Sequence, residues 1–353
     1  MYSRAKPRHL GFLFLGLGTA FLLFAAPQTC AIAMRQGLVL CGGPLLVSLF
    51  PFLVVSSLLL QSGLAQTLGL LLWPVVRFIG LKKPAAGGVL LVGLAGGFAP
   101  AAVAAAEAVC TGELTADEAS ALLPGCICSG PSFVILTVGE QMLGSRTVGI
   151  GLFAAQVLAG WLTAALLYRL SGKKAGRQTA SEPLPIPAGP PTLDGILAQS
   201  AVTYLKLCGF VLYFRMLAAG CSLLLPVVLA PFPAMLLEVC SGCDAASRTG
   251  LWASGLCCAA LSVQGASVLL QVRTICPKEI SFRPLLWGRL VHLPLSLALF
   301  YMGLPERAVE TFNTLTTRVI PMRRVPLDCA LLVFLVCCQT VCALCHAVQP
   351  DQN

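Results

Sequence analysis

Eight long stretches of this chain contain no Asp, Glu, Lys or Arg. They are residues 9–34, 36–76, 84–106, 119–139, 147–168, 216–237, 249–272 and 329–350. Each is near or above the roughly 18 to 20 apolar residues that cross a bilayer as a helix. The sequence therefore predicts an all-α polytopic integral membrane protein, with about eight to ten transmembrane or re-entrant helices in two weakly related halves.

Composition supports this class. Only 10% of the 353 residues are charged, whereas a soluble domain has about 25%. So few charges do not cover a water-facing surface, which excludes a soluble enzyme, a nucleic-acid-binding domain and a disordered protein. The partner implied is the lipid bilayer.

The net charge of +9 indicates topology rather than nucleic-acid binding, because the basic residues flank apolar spans as the positive-inside rule expects of cytoplasmic ends. The clusters are Arg4, Lys6 and Arg8; Lys82 and Lys83; Arg169, Lys173, Lys174 and Arg177; and Arg318, Arg323 and Arg324.

Five regions are predicted along the chain. They are an N-terminal transmembrane helix and connector (1–43), a first membrane half (44–170), a Pro-rich cytoplasmic linker (171–195), a second membrane half (196–305), and a C-terminal transmembrane helix and tail (306–353). The apolar stretch near the N-terminus is longer than the core of a usual signal peptide, so we expect an uncleaved helix.

Within these regions the expected spans are 10–26, 44–62, 85–109, 119–143, 147–168, 196–217, 221–237, 250–272, 284–302 and 327–347, with 66–79 interfacial or half-inserted. The basic clusters at 82–83 and after 168 should both be cytoplasmic. Three full crossings between them would place them on opposite sides, so one segment must turn back. We expect this of 119–143, which Pro and Gly interrupt, with 85–109 as the alternative.

The two halves share weak similarities, for example between the endings Thr163–Tyr168 and Ser296–Tyr301 and between segments 97–103 and 262–268. Transporters are often built from two such halves, whose discontinuous helices meet near the membrane midplane.

Charged residues inside apolar segments are candidate functional groups, because a charge in lipid costs roughly 3 kcal/mol or more. Four stand out: Glu107, Glu140, Glu238 and Lys206. Glu238 is the strongest, since it precedes Ser241-Gly242 and lies beside an expected helix break, where free backbone groups can bind a polar solute. The alternative is an interfacial carboxylate, or one paired with Lys206 or Arg215.

A second candidate site is Ser129-Gly130-Pro131-Ser132. A break there leaves amide groups free, and the N-terminus of a half-helix suits an anion; the alternative is a plain loop. Ser262 and Gln264 could hydrogen-bond a solute or a neighbouring helix. His292 is expected at the membrane interface.

No soluble catalytic constellation, dinucleotide fingerprint or Walker motif is present, so we expect neither an enzyme nor a cofactor. Most of the 17 cysteines lie in apolar surroundings, where Cys acts as a small hydrophobe, and no metal site is expected. The run Cys342-Ala-Leu-Cys345-His346 matches the haem c attachment pattern, which we interpret as coincidence.

The arrangement resembles the nucleoside-recognition or Gate-domain membrane proteins, and within them the YlbJ-type sporulation integral membrane proteins. The resemblance covers roughly residues 10–305. It rests on the order and spacing of Leu49-Phe-Pro-Phe52, Gly96-Gly-Phe98, Gly112–Glu118, Ser129–Phe133, Leu237-Glu-Val239 with Gly242, Leu261-Ser-Val263 and Arg289-Leu-Val-His292.

This resemblance implies the outer forespore membrane and movement of dipicolinate from the mother cell toward the forespore. A lysine of the family pattern would fall at Val103, so Arg215 or Arg289 is expected to supply positive charge for an anion.

The function expected is therefore a transporter of a small polar, anionic solute, which Glu238, Ser129, Gly130, Ser132, Ser262 and Gln264 contact. Alternatives are a non-transporting sporulation membrane scaffold and a nucleoside or metal-ion gate-type protein. Expected protein partners are further copies of the chain or other sporulation membrane proteins.

Overall fold

The computed structural model describes residues 7–170, 192–226, 229 and 231–303, and these residues form helices and no strands. The helices are α1 (Pro7–Ala25), α2 (Pro27–Leu40), α3 (Leu46–Gln61), α4 (Leu64–Gly69), α5 (Trp73–Ile79), α6 (Ala85–Gly96), α7 (Phe98–Cys110), α8 (Ala116–Cys126), a π-helix (Ser132–Met142), α9 (Arg146–Leu170), α10 (Leu193–Ser222), α11 (Pro231–Leu237), α12 (Val239–Ser247), α13 (Ala253–Val263), α14 (Gly265–Ile275) and α15 (Arg283–Gly303).

Five of the helical segments within this described part are long and apolar enough to cross a membrane: Pro27–Gln61, Arg146–Leu170, Leu193–Ser222, Gly250–Ile275 and Arg283–Gly303. The prediction of an all-α polytopic membrane protein is confirmed. The predicted C-terminal span, the Cys342–His346 run and most of the linker lie outside the described residues.

The second span starts earlier than predicted. The helix begins at Pro27 rather than near 44 and continues through a π-turn, Cys41–Leu45, into α3. Pro44 lies inside the π-turn, and Pro51 lies inside α3. A wider turn accommodates a proline that would otherwise clash with the preceding helical turn.

The segment that turns back is 85–110, not 119–143, so the choice between the two was wrong. A Cβ built on Gly93 would lie only 3.1 Å from the Cβ of Ala101, eight residues later. α6 and α7 therefore form a helical hairpin, which we call hairpin 1, with Gly97 at its tip. Small residues permit this close approach of two backbones in lipid.

Residues 116–142 run along α9 as one broken helix. Gly139 packs on Gly149 near the start of α9, and Gly125 packs on Ala164 near its end. These two contacts on α9 are about 22 Å apart along the helix axis, at 1.5 Å per residue. α8 begins at a capping box, in which the backbone amides of Thr115 and Glu118 donate to each other's side chains.

Glu118 also forms a salt bridge with Lys83, with 3.0 Å between Oε2 and Nζ. Partial burial would raise the pKa of the Glu118 carboxyl, but the Thr115 hydrogen bonds and Lys83 outweigh burial and hold it below its ordinary value. This contact joins the start of hairpin 1 to the start of α8.

The second half contains a second hairpin where a span at 221–237 was expected. α10 ends at Ser222, and the short helices α11 and α12 fold against each other around Glu238. A Cβ on Gly242 would lie 2.7 Å from the Cα of Met235. We call α11–α12 hairpin 2. Three prolines in this region, Pro226, Pro231 and Pro233, disfavour a continuous helix.

A broken helix follows each hairpin, and a long helix follows each broken helix. In the first half, α8 and the π-helix form the broken helix and α9 is the long helix. In the second half, α13 and α14 form the broken helix and α15 is the long helix. The two halves pack through α9 against α15 and through α3 against α10. The similar endings Thr163–Tyr168 and Ser296–Tyr301 lie on corresponding helices, whereas 97–103 and 262–268 lie on a hairpin and a broken helix.

Candidate solute site

Four helix interruptions meet in the middle of the protein: Gly97, residues 127–131, Glu238 and Gln264. The tip of hairpin 1 packs on the first broken helix, since a Cβ on Gly97 would lie 2.8 Å from the amide nitrogen of Gly130. Hairpin 2 repeats this arrangement, because a Cβ on Gly265 would lie 2.8 Å from the amide nitrogen of Glu238.

A side-chain hydrogen bond joins the two broken helices, in which Gln264 Nε2 donates to the carbonyl oxygen of Ile127 at 2.9 Å. Helix interruptions from both halves thus share one buried region.

Glu238 lies at the tip of hairpin 2 and is only 2% exposed. Its extended backbone ends α11, and its carboxylate accepts hydrogen bonds from the amides of Cys240 (2.8 Å) and Ser241 (2.6 Å) in the first turn of α12. Neither of the cationic partners considered above reaches it, because Lys206 is exposed and Arg215 pairs with Asp244. The carboxylate is therefore held by the N-terminus of its own helix.

Gln264 adopts a left-handed backbone with φ of 63°, which is unique among the non-glycine residues that the structure describes. Such a conformation costs about 1–3 kcal/mol. Its side chain offsets this cost through the bond to Ile127 and by accepting a hydrogen bond from the guanidinium of Arg289 at 2.7 Å.

Arg289 extends this linkage between the halves. Its guanidinium also donates to the carbonyl oxygens of Ile127 (2.8 Å) and Ser262 (3.4 Å), while Nε has no partner within the described chain. The residue is 9% exposed and forms no ion pair there. A positive charge without a carboxylate partner is thus held between two broken helices.

Ser262 belongs to a hydrogen-bonded cluster between α9, α13 and α15. Its hydroxyl accepts a bond from Gln156 Nε2 (3.0 Å), donates to the carbonyl of Cys258 (2.8 Å) and contacts the hydroxyl of Ser296. In this conformation both Ser262 and Gln264 therefore bond neighbouring helices.

His292 lies in the same cluster, with Nε2 3.0 Å from the carbonyl oxygen of Gln156. It is 2% exposed, so the expectation of an interfacial position was wrong. Packing of α15 against α9 removes its ring from the surface.

Ser129 and Gly130 lie in the first interruption, Ser132 follows it directly, and all three are buried. Gly130 contacts hairpin 1, as described above. The hydroxyl of Ser132, the first residue of the π-helix, has no hydrogen-bond partner among the described residues. Ser129 lines a cavity of about 30 Å³.

This cavity lies between the tip of hairpin 1 and the helices α3, α10, α12 and α14. It adjoins residues of both halves, with Gly97, Phe98 and Ser129 on one side and Val239 and Cys240 on the other.

The other charged candidates lie away from this centre. Glu140 and Lys206 are exposed, and Glu107 lines a separate cavity of about 70 Å³ with Glu113 and Gln66. No three His, Cys, Asp or Glu side chains within the described ranges are grouped so that they could hold a metal ion.

Gln156, Ser296 and the bridging role of Arg289 were missed at the sequence level. A usable signal was present for α15, where Arg289, His292 and Ser296 follow the i, i+3, i+7 spacing of one helix face. A polar face on an otherwise apolar helix indicates contact with other polar groups inside a membrane protein. Gln156 has no polar residue three or four positions away on α9, so its helix face carries no comparable signal.

Long apolar helices with polar groups buried at their interruptions define the class of this protein: it is a multi-pass, all-α integral membrane protein. Over 164 residues the chain is 32% identical to the sporulation integral membrane protein YlbJ of Bacillus subtilis (strain 168), and the matched region covers 46% of this chain.

The match covers 39% of the relative, so the chain spans about two-fifths of the length of that protein. No family model matches the chain, and no solved structure matches it. The resemblance to the YlbJ type is thus supported, while the wider Gate-domain resemblance stays a prediction.

Proposed function

We propose that this protein is a sporulation-associated membrane transporter, rather than an enzyme, that moves a small polar, anionic solute. The observation that carries the proposal is the convergence of four helix interruptions from two similar halves. Discontinuous helices meeting near the midplane are a common way to build a transport site, because their unpaired backbone groups bind polar solutes.

An anion is favoured by two features of the centre. The uncompensated guanidinium of Arg289 lies there, and the N-termini of α7, the π-helix and α14 have no side-chain cap. Glu238, in contrast, is engaged with its own helix. We therefore propose for Glu238 that it keeps hairpin 2 in shape and leaves the solute to the other candidates.

The mechanism proposed is rocking of the two hairpins around the broken helices, which opens the centre to one face of the membrane at a time. The YlbJ-type resemblance suggests dipicolinate as the solute and the outer forespore membrane as the location. Partners in this proposal are lipid and solute, together with further copies of the chain or other sporulation membrane proteins.

The proposal is tested by expressing the protein in a Bacillus subtilis strain that lacks YlbJ and measuring dipicolinate in the spores. We expect the wild-type chain to raise dipicolinate content, and Glu238→Gln to lose at least about 90% of that gain at equal membrane abundance, since the neutral amide weakens the cap of α12. Glu279→Gln, at an exposed carboxylate in the loop before α15, is the matched control.

Uptake of labelled dipicolinate by liposomes containing the purified protein separates transport from scaffolding. A protein that restores spores without moving any anion across liposomes is a scaffold, and that result contradicts the proposal.

A further inference from the structure

The segment of residues 64–79, which joins α3 to α6, stays at one face of the membrane. Gly69 packs on Gly88 in the first turn of α6, and a Cβ on Gly88 would lie 3.1 Å from the carbonyl oxygen of Ala65. The segment therefore lies level with the start of α6. It exposes Leu70 and Leu71, by 53% and 76%. A short helical stretch with an exposed apolar side, packed beside membrane spans, is suited to the boundary between headgroups and acyl chains.

This segment ends against the last turn of α9. A Cβ on Gly80 would lie 2.9 Å from the ring of Tyr168. Nη2 of Arg169 donates a hydrogen bond to the carbonyl oxygen of Phe78 at 3.1 Å, and its guanidinium lies 5.5 Å from the centre of the Phe78 ring. Because α9 leads into the basic linker, the positive-inside rule places this contact at the cytoplasmic face.

Three exposed cations lie around this contact: Arg77, Lys82 and Arg169. We call them the basic edge. None of them forms an ion pair within the part of the chain that the structure describes. The neighbouring Lys83, in contrast, pairs with Glu118 at 3.0 Å.

The sequence supplies no carboxylate close to the basic edge. Its three cations come from two stretches, residues 1–106 and 141–181, and neither stretch contains an Asp or a Glu. Glu113, in the loop before α8, accepts a hydrogen bond from Gln66, and Glu118 is engaged by Lys83. Within the described ranges the basic edge thus carries a positive charge that no carboxylate neutralises.

Both arginines of the basic edge are supported by aromatic rings. The guanidinium of Arg77 lies 5.7 Å from the centre of the Trp73 ring, as that of Arg169 lies on Phe78. A ring covers one face of a guanidinium and leaves N–H groups at its edge free, and this edge matches two oxygens of a phosphate. Tryptophan is also enriched at the depth of the lipid headgroups. The alternative is that these arginines only complement the C-terminal ends of α5 and α9.

We propose that the basic edge binds the phosphate headgroup of an anionic membrane lipid, whose acyl chains lie along the exposed Leu70, Leu71 and Phe78. Basic pockets beside membrane helices on the cytoplasmic side suit such lipids, because that face of the membrane is negatively charged. A lipid fits better than a free phosphate ion, since the cations and the exposed apolar side chains belong to the same segment. This proposal does not depend on the transport function.

Quenching of tryptophan fluorescence by brominated lipids, in the reconstituted full-length protein, tests the proposal. The chain has four tryptophans; Trp73 lies at the basic edge, and Trp287 is exposed on α15. Two variants each keep one of these two and carry Phe at the other three positions. We expect brominated phosphatidylglycerol to bind beside Trp73 at least about tenfold more strongly than brominated phosphatidylcholine. Beside Trp287 the two lipids should bind within about twofold of each other.

Charge variants are then compared in the protein that keeps Trp73. Lys82→Gln and Arg169→Gln should each lower the preference for phosphatidylglycerol about fivefold, the usual value of one basic residue at a membrane surface. Arg169→Lys keeps the charge and should retain at least about half of the preference. Arg146→Gln removes an exposed cation from the other end of α9 and is the matched control, which should leave the preference unchanged.

Three results would overturn the proposal. The first is an equal preference for phosphatidylglycerol beside Trp73 and Trp287. The second is a preference that Lys82→Gln and Arg169→Gln leave as high as Arg146→Gln does, which would mean that these cations serve only topology and the helix ends. The third is loss of quenching on addition of excess inorganic phosphate, which would show that the basic edge takes a free ion and not a lipid.

Discussion

Glu238 and Arg289 are the two formally charged side chains that are buried in the described part of the chain. They do not bond each other. Amides hold the carboxylate of Glu238, and carbonyls and an amide oxygen hold the guanidinium of Arg289. At the scale of the residue, backbone freed by a helix break therefore offsets the cost of burying a charge in lipid.

Replacing Arg289 by lysine tests this view. Lysine keeps the charge but lacks the planar group that reaches three acceptors, so we expect a loss of about 2 to 4 kcal/mol in stability. Thermal unfolding in detergent should show a Tm lower by at least about 4 °C. Arg283→Lys, at an exposed position on the same helix, should leave Tm unchanged. Equal Tm values for the two variants would mean that the hydrogen bonds of Arg289 to Ile127, Ser262 and Gln264 contribute nothing to stability.

Helices and their interruptions differ in how far sequence predicts them. The expected spans 147–168 and 284–302 located α9 and α15 within about two residues, and prolines and glycines indicated the breaks near 124–131 and 238. The break at Gln264 has only Gly265 as a local signal, and bonds from Arg289 and to Ile127 stabilise its left-handed backbone. Packing of Gly93 on Ala101 makes segment 85–110 turn back. The positions of the basic clusters do not distinguish this segment from 119–143.

Gly265→Ala and Gly250→Ala form a matched pair for the packing of hairpin 2 on the second broken helix. Both glycines have a positive φ, of 70° and 67°, so alanine costs about 1–2 kcal/mol at either. Only at Gly265 would the new Cβ meet another backbone, 2.8 Å from the amide nitrogen of Glu238; at Gly250 nothing lies within 4 Å.

We expect the Tm of Gly265→Ala to fall at least twice as far as that of Gly250→Ala, measured by thermal unfolding of the purified proteins. Similar falls would show that the hairpin tip moves aside without cost, and that the contact is not part of the stable fold.

At the scale of the whole molecule, the two halves are held together by packing rather than by chain connection. α9 packs on α15, α3 packs on α10, and Gln264 bonds Ile127 across the centre. We expect a chain divided between Ser181 and Glu182 to reassemble when its two pieces are expressed together, since these contacts do not depend on the connecting segment.

The measurement is co-purification of the second piece through an affinity tag on the first, with dipicolinate binding as the second readout. A division between Gly209 and Phe210, inside α10, should prevent reassembly because it leaves a helix end in lipid. If the first division abolishes co-purification while both pieces accumulate in the membrane, the connection itself is needed.

The helix from Pro27 to Gln61 has 35 residues, which correspond to about 52 Å at 1.5 Å per residue. The hydrocarbon layer is only about 30 Å thick. A single straight crossing therefore requires this helix to lean steeply or to project into the headgroups. α3 also lines the central cavity through Leu49 and Leu53. A thicker or thinner bilayer therefore changes the tilt of a helix that forms one side of that cavity.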